Sequence, residues 1–269
     1  MALESFNGQL YAALRGPGQI WRFDGAAWNL AATLTGGQVT ALRSFAGRLY
    51  AGDNSGRVWA YEPGPDTWYV AFQSPSATIQ SFGVYDGRLF VGANPNIYVF
   101  NGTAWDISNV VSANIYSLAT YDNRLFAGTN NAGRIFEFNG SVWTSAVSLG
   151  GEGEANSLAV HAGRLYAGVG LPAARLQAFD GRSWVVIRSL PGANDRFTSM
   201  ASFGGRLYEG LLQMSGDAAV DVSTPLAVAL TGAEGTTLPQ TISVTDVNLT
   251  QSLVGSVCLG VAPCGATNQ

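Results

Sequence analysis

The chain has 269 residues, of which 47% are hydrophobic and only 12% charged, with a formal net charge of −4. All fourteen basic residues are arginine. Cations so few and scattered do not form the basic surface that a phosphate backbone requires, so nucleic acid is excluded as a partner. No membrane insertion is expected either, because the most apolar late stretch, 253–266, is short and broken by glycine.

From the N-terminus, Met1 runs straight into a strand at Ala2–Phe6, and no signal peptide is read there. A hairpin motif follows, N-G-Q-L-Y from Asn7, and it returns five times. Its later copies are A-G-R-L-Y at Ala46, D-G-R-L-F at Asp86, D-N-R-L-F at Asp122, A-G-R-L-Y at Ala162 and G-G-R-L-Y at Gly204. The leucines Leu10, Leu49, Leu89, Leu125, Leu165 and Leu207 lie 39, 40, 36, 40 and 42 residues apart. A second mark, F-[DN]-G-x-x-W, occupies Phe23–Trp28, Phe100–Trp105, Phe138–Trp143 and Phe179–Trp184, with an expanded version from Tyr61 to Trp68. Two marks in one phase establish an internal repeat.

Each repeat reads as four short strands. The first ends in an aromatic residue and meets an Asx-Gly or Gly-Gly pair, the signature of a type I′ hairpin turn. On this reading Gly47, Gly87, Gly163 and Gly205 have positive φ. The second strand, R-L-[YF]-A-G in three of the six copies, closes on Gly52, Gly92, Gly128, Gly168 or Gly210 in five. The third alternates apolar residues, as in Arg57–Tyr61 and Arg134–Phe138, and the fourth is opened by tryptophan. Period-two alternation between regular turns predicts an all-β chain, and a four-stranded unit of this length predicts a β-propeller blade. The leucines are expected between adjacent blades, and Trp105 and Trp143 are expected to be mostly buried there.

The L-Y-A-G string, a glycine-bearing loop, an apolar strand ending in an aromatic and a following tryptophan resemble the kelch repeat, over roughly residues 2–210. Kelch repeats usually keep two adjacent glycines after the second strand, and only one stands here, so the resemblance is to a divergent, single-glycine form. It implies a propeller and a bias towards binding protein or glycan, and it carries over no catalytic residue.

The sixth copy has two strands, Ser199–Phe203 and Arg206–Gly210, before the pattern stops. The expected fold is a six-bladed propeller of five full repeats and a half repeat. Its outer strands come from Ala218–Val222 and Leu226–Leu230. Five blades with an appended hairpin is the alternative. Domain bounds are therefore 1–230 for the propeller and 231–269 for a C-terminal β-rich arm. That arm has β-prone runs at Gln240–Val247 and Ser252–Leu259, and no basic residue follows Arg206. A charge-poor β segment of this kind suits strand addition to a neighbouring subunit. Cys258 and Cys264, spaced C-x5-C, are either a disulfide or two free thiols.

Little in the sequence points to chemistry. The single histidine, His161, occupies the place of Phe45, Tyr85 and Tyr121, which is a structural position beside the hairpin turn. Two cysteines and a remote histidine give no zinc spacing, no G-x-S-x-G elbow occurs, and no cofactor is expected. Asp24, Asn101, Asn139 and Asp180 fall in tight turns, where Asx residues serve the backbone. Glu152 and Glu154 have the look of paired glycosidase carboxylates, but their GGEGE setting predicts a solvated loop.

The expectation is a non-enzymatic structural or assembly module that binds protein subunits on an extracellular or virion surface, with intracellular adaptor work as a variant. The alternative is a glycan-binding propeller whose repeated Trp28, Trp105, Trp143 and Trp184 stand beside Arg48, Arg88, Arg124 and Arg164.

Overall fold

The computed structural model describes residues 2–212, except 15, 17, 76–77, 112, 131–132, 150–152, 171–172, 194–195 and 204. All of them belong to one unit spanning Met1–Val220. The expected outer strands of the sixth repeat, the boundary at 230, the C-terminal arm, both cysteines and Glu152 lie outside the described residues.

Twenty-two strands form five four-stranded sheets and one two-stranded sheet among the described residues, all antiparallel and each in chain order. The first sheet holds β1 (Ala2–Phe6), β2 (Gln9–Ala13), β3 (Gln19–Phe23) and β4 (Trp28–Thr33). The second holds β5 (Val39–Phe45), β6 (Arg48–Asp53), β7 (Arg57–Glu62) and β8 (Thr67–Gln73). The third has β9 (Ser81–Tyr85), β10 (Arg88–Gly92), β11 (Asn96–Phe100) and β12 (Trp105–Val110). The fourth has β13 (Ile115–Tyr121), β14 (Arg124–Thr129), β15 (Arg134–Phe138) and β16 (Trp143–Ser148). The fifth has β17 (Glu154–His161), β18 (Arg164–Gly170), β19 (Ala173–Phe179) and β20 (Trp184–Ala193), and the last has β21 (Arg196–Phe203) and β22 (Arg206–Leu212). This is a propeller-like all-β architecture, and each sheet is called a blade below.

The turn chemistry matches the sequence. Gly47, Gly87, Gly163 and Gly205 have φ of 74°, 65°, 72° and 74°, and Ala46, Asp86 and Ala162 before the first three are also positive. Two consecutive left-handed residues make the type I′ turn, whose twist matches that of the flanking strands. The register then aligns the repeat marks across each blade. Leu49 lies opposite Tyr61 and Tyr61 opposite Trp68, just as Leu125 faces Phe138 and Phe138 faces Trp143. The hairpin turn and the turn that leads to the tryptophan therefore stand at the same end of each four-stranded blade.

The glycine that closes each second strand has a packing role. A Cβ on Gly52 would stand 2.4 Å from Ile79 Cγ2, one on Gly92 2.7 Å from Ile115 Cγ2, and one on Gly168 2.6 Å from Phe197 Cβ. Ile79, Ile115 and Phe197 are fully buried and lead into or open the first strand of the next blade. The bare glycine surface thus receives a knob from its neighbour and sets how closely successive blades approach.

Four of the six repeat leucines are buried as expected, while Leu10 is exposed and Leu207 half-buried. Leu49, Leu89, Leu125 and Leu165 are 0% exposed, whereas Leu10 is 37% exposed. Each buried leucine packs on the blade before it, in clusters such as Phe6, Tyr11, Ala13 and Ile20 with Leu42, Leu49 and Ala51. Leu10 belongs to the first blade, which no other described blade precedes. Among the described residues neither β21 nor β22 is hydrogen-bonded into the first sheet.

Candidate functional site

The repeated tryptophans and arginines are the side chains most suited to a ligand, and the structure places most of them at the seams between blades. Four aromatic rings form a ladder at the first, third and fourth seams. One comes from the first strand and one from the second strand of a blade. The others are the last aromatic of the third strand and the tryptophan of the fourth strand in the next blade. At the third seam Tyr85 and Phe90 each lie 5.7 Å from Phe138, which stacks on Trp143 at 5.1 Å. At the fourth, Tyr121 and Phe126 lie 6.1 and 5.9 Å from Phe179, which stacks on Trp184 at 5.0 Å. Tyr61 joins Phe6, Tyr11 and Trp68 in the same way at the first seam. Offset and edge-to-face geometries of this kind stabilise beyond the area they bury.

Trp105 and Trp143 are half-buried rather than mostly buried, which corrects the expectation from sequence. The reason is their place on the outermost strand of the blade, which no further strand covers. Both reach the outer strand of the preceding blade. Trp105 stacks on Phe72 of β8 at 4.9 Å, and Trp143 Nε1 donates to Ser108 Oγ of β12 at 2.9 Å. Trp184 packs on the fourth-seam cluster likewise. Trp28 differs, at 42% exposed, with Phe23 of its own blade as its ring neighbour at 5.3 Å.

The arginines that open the second strands pair with acids and rings at the same end of the blades. Arg48 bonds Glu62 at 2.9 Å, Arg88 bonds Asp86 at 3.2 Å, and Arg124 reaches both Asp122 at 3.1 Å and Glu137 at 3.2 Å. The Arg124 guanidinium also lies over Phe126 of its own blade and Phe179 of the next, at 5.4 and 5.6 Å. Arg164 is exposed. Within a blade the third strand therefore lies between the arginine and the tryptophan, and at the fourth seam the Phe179 ring lies between Arg124 and Trp184.

The Asx residues are also engaged. Asp24 Oδ1 accepts from the Ala26 and Ala27 amides, Asn101 Oδ1 from Thr103 and Ala104, Asn139 Oδ1 from Ser141 and Val142, and Asp180 Oδ1 from Arg182 and Ser183. Those amides hold the Asp24 and Asp180 carboxyls below the usual range, through Ala27 then Ala26 in one and Ser183 then Arg182 in the other. His161 Nδ1 meets Ser202 Oγ at 2.9 Å, linking the fifth blade to the sixth. Glu154 is not in a solvated loop, contrary to expectation: it opens β17 and pairs with Arg196 at 3.2 Å. Among the described residues no group of His, Cys, Asp or Glu is placed to hold a metal ion.

Sequence reasoning missed one buried centre. Asp53, 1% exposed, accepts from the amides of Ser55 and Arg57, from Arg57 Nε at 3.0 Å and from Trp59 Nε1 at 3.0 Å. The equivalent positions of the first, third and fourth repeats hold Leu14, Ala93 and Thr129, so the repeat offers no comparison that would single it out. Its signal was local, a D-N-S-G turn followed by arginine.

No protein-family model and no curated protein sequence matches the chain. Solved structures do resemble its fold. The computationally designed Ika8 protein is 17% identical over 78% of this chain and 67% of its own, with a TM-score of 0.60. The extracellular domain of BT4673 from B. thetaiotaomicron is 16% identical with a TM-score of 0.62 over 78% of this chain, which spans 30% of that protein's length. A chain of the Mitotic Checkpoint Complex is 14% identical over 74% of this chain and 67% of its own, with a TM-score of 0.62. These likenesses concern the fold.

Proposed function

We propose that the chain is a kelch-like, non-enzymatic propeller that works as a structural or assembly module, binding protein subunits on an extracellular or virion surface. The observation that carries this reading is how the repeated side chains are used. Tryptophans that would stack a sugar are half-covered by seam aromatics, and Arg48, Arg88 and Arg124 are paired with carboxylates. What remains for recognition is apolar surface and strand edge, which suits protein partners. In this reading residues 211–230 complete the sixth blade, and residues 231–269 meet a neighbouring subunit. The kelch-like assignment rests on the repeat motif, and the surface placement rests on the low charge.

Glycan binding is the second reading, and the exposure of Trp28 favours it. The two separate in solution. The mass of the full chain over a range of concentrations, measured beside its retention on a panel of immobilised oligosaccharides, is expected to give a multi-chain species without sugar binding. A single-chain species retained by sugar, and released by Trp105→Ala or Trp28→Ala, would overturn the assembly reading.

A further inference from the structure

The tripeptide Phe-Asn-Gly occurs three times, at Phe6–Gly8, Phe100–Gly102 and Phe138–Gly140. The fold gives each asparagine a different setting. An Asn-Gly pair carries latent chemistry of its own: the glycine nitrogen can attack the asparagine side-chain carbon, and glycine has no side chain to hinder the approach. Negative charge then gathers on Oδ1, so donors already aimed at that oxygen stabilise the transition state.

Asn139 has such donors. It is exposed, and its Oδ1 accepts from the Ser141 and Val142 amides at 3.0 Å each. The Gly140 amide has no hydrogen-bond partner among the described residues. Asn101 Oδ1 is held in the same way, by the Thr103 and Ala104 amides and the Thr103 hydroxyl. Its Nδ2, however, donates to Asp106 Oδ2 at 3.3 Å, and that carboxylate opposes a negative charge growing beside it. The residue five positions after Asn139 is the neutral Thr144. Asn7 lies in a hairpin turn with a φ of 49°, and among the described residues its side chain accepts no amide. The repeat also shows that a carboxylate fits the turn. Asp24 and Asp180 fill the place of Asn139 in the first and fifth blades and accept from the matching pair of amides, which hold both carboxyls below the usual range.

We propose that Asn139 is a self-modification site, which loses its side-chain amide within the folded chain. The Gly140 nitrogen bonds to Asn139 Cγ, the Cγ–Nδ2 bond breaks, and Nδ2 departs as ammonia with the proton of the Gly140 amide. Water then opens the resulting five-membered imide to a carboxylate, so one water is consumed for each ammonia released. The fourth blade thereby gains the charge that the first and fifth already carry at this turn.

The test holds the full chain, folded and in neutral buffer, over weeks. Cleavage after arginine puts the three asparagines in separate peptides, and mass spectrometry reads amide loss in each. Asn139 is expected to convert at least about tenfold faster than Asn7 and Asn101, through the donors on its Oδ1. The three rates are expected to converge when the chain is unfolded in urea. Equal rates in the folded chain, or a lead by Asn7 or Asn101, overturn the proposal. Separately, Asp106→Ala is expected to bring Asn101 up to the rate of Asn139, with the strand content unchanged by circular dichroism. An Asn101 that stays inert in that variant would show that a held Oδ1 does not speed the reaction, and overturns the proposal as well.

Discussion

The Tyr121 hydroxyl donates to the Gly163 carbonyl at 3.1 Å, tying the first strand of the fourth blade to the hairpin turn of the fifth. Tyr85 does the same to the Asn123 carbonyl one blade earlier, also at 3.1 Å. In the fifth blade His161 takes this position and turns to Ser202 instead. These are partly exposed, neutral bonds, so each is worth about 0.5–1.5 kcal/mol. Tyr121→Phe is expected to lower unfolding stability by that amount in a denaturant titration, with the fold retained.

Two glycines, one in the third blade and one in the fourth, separate two kinds of cost. Gly87 has a φ of 65° with open space around its Cβ position, so Gly87→Ala adds strain alone, about 1–2 kcal/mol. A Cβ on Gly128 would stand 2.6 Å from the Ala155 carbonyl oxygen, a backbone atom of the next blade. Gly128→Ala is expected to cost about 1–3 kcal/mol through overpacking. It should also perturb the fifth blade in hydrogen exchange, whereas the effect of Gly87→Ala stays within the third.

Asp53→Ala should be among the most damaging single changes in the second blade. It leaves the Arg57 guanidinium and the Trp59 indole N–H without the carboxylate that both use. Removing one partner of a buried ion pair costs about 3–5 kcal/mol. Thermal unfolding measures this, and a loss below about 1 kcal/mol would show that water replaces the carboxylate.

The last seam adds a pH dependence. Burial pushes the Glu209 carboxyl above its ordinary 4.5, against the opposing pull of Arg188 at 3.5 Å. A raised carboxyl favours the folded state in its neutral form, and that contribution is lost as pH rises through the raised value. Glu209→Gln is therefore expected to be more stable than the parent chain at pH 7. The gap should narrow as pH falls through the raised value and be closed below 4.5.

The sequence revealed the blades because two motifs repeat in one phase, and the turn glycines followed from hairpin twist alone. Periodicity equally predicted burial for all six leucines and all five tryptophans of the repeat. It failed at Leu10 and Trp28 because their burial depends on a preceding blade, which no local pattern records. The half-burial of Trp143 was likewise illegible, since strand order shows which residue is outermost but not how far a ring slides over its neighbour. Asp53 and Glu154 escaped for a different reason. Each acts within one blade or one seam, and a repeat reveals only what recurs.

The central claim is that the repeated aromatic side chains join blades, and the bond from Trp143 Nε1 to Ser108 Oγ tests it most directly. A double-mutant cycle of Trp143→Phe and Ser108→Ala, read by equilibrium unfolding, isolates that contact across the third seam. A favourable coupling of about 0.5–1.5 kcal/mol is predicted. Strictly additive effects would contradict the account, because Trp143 would then be free to serve as a ligand platform.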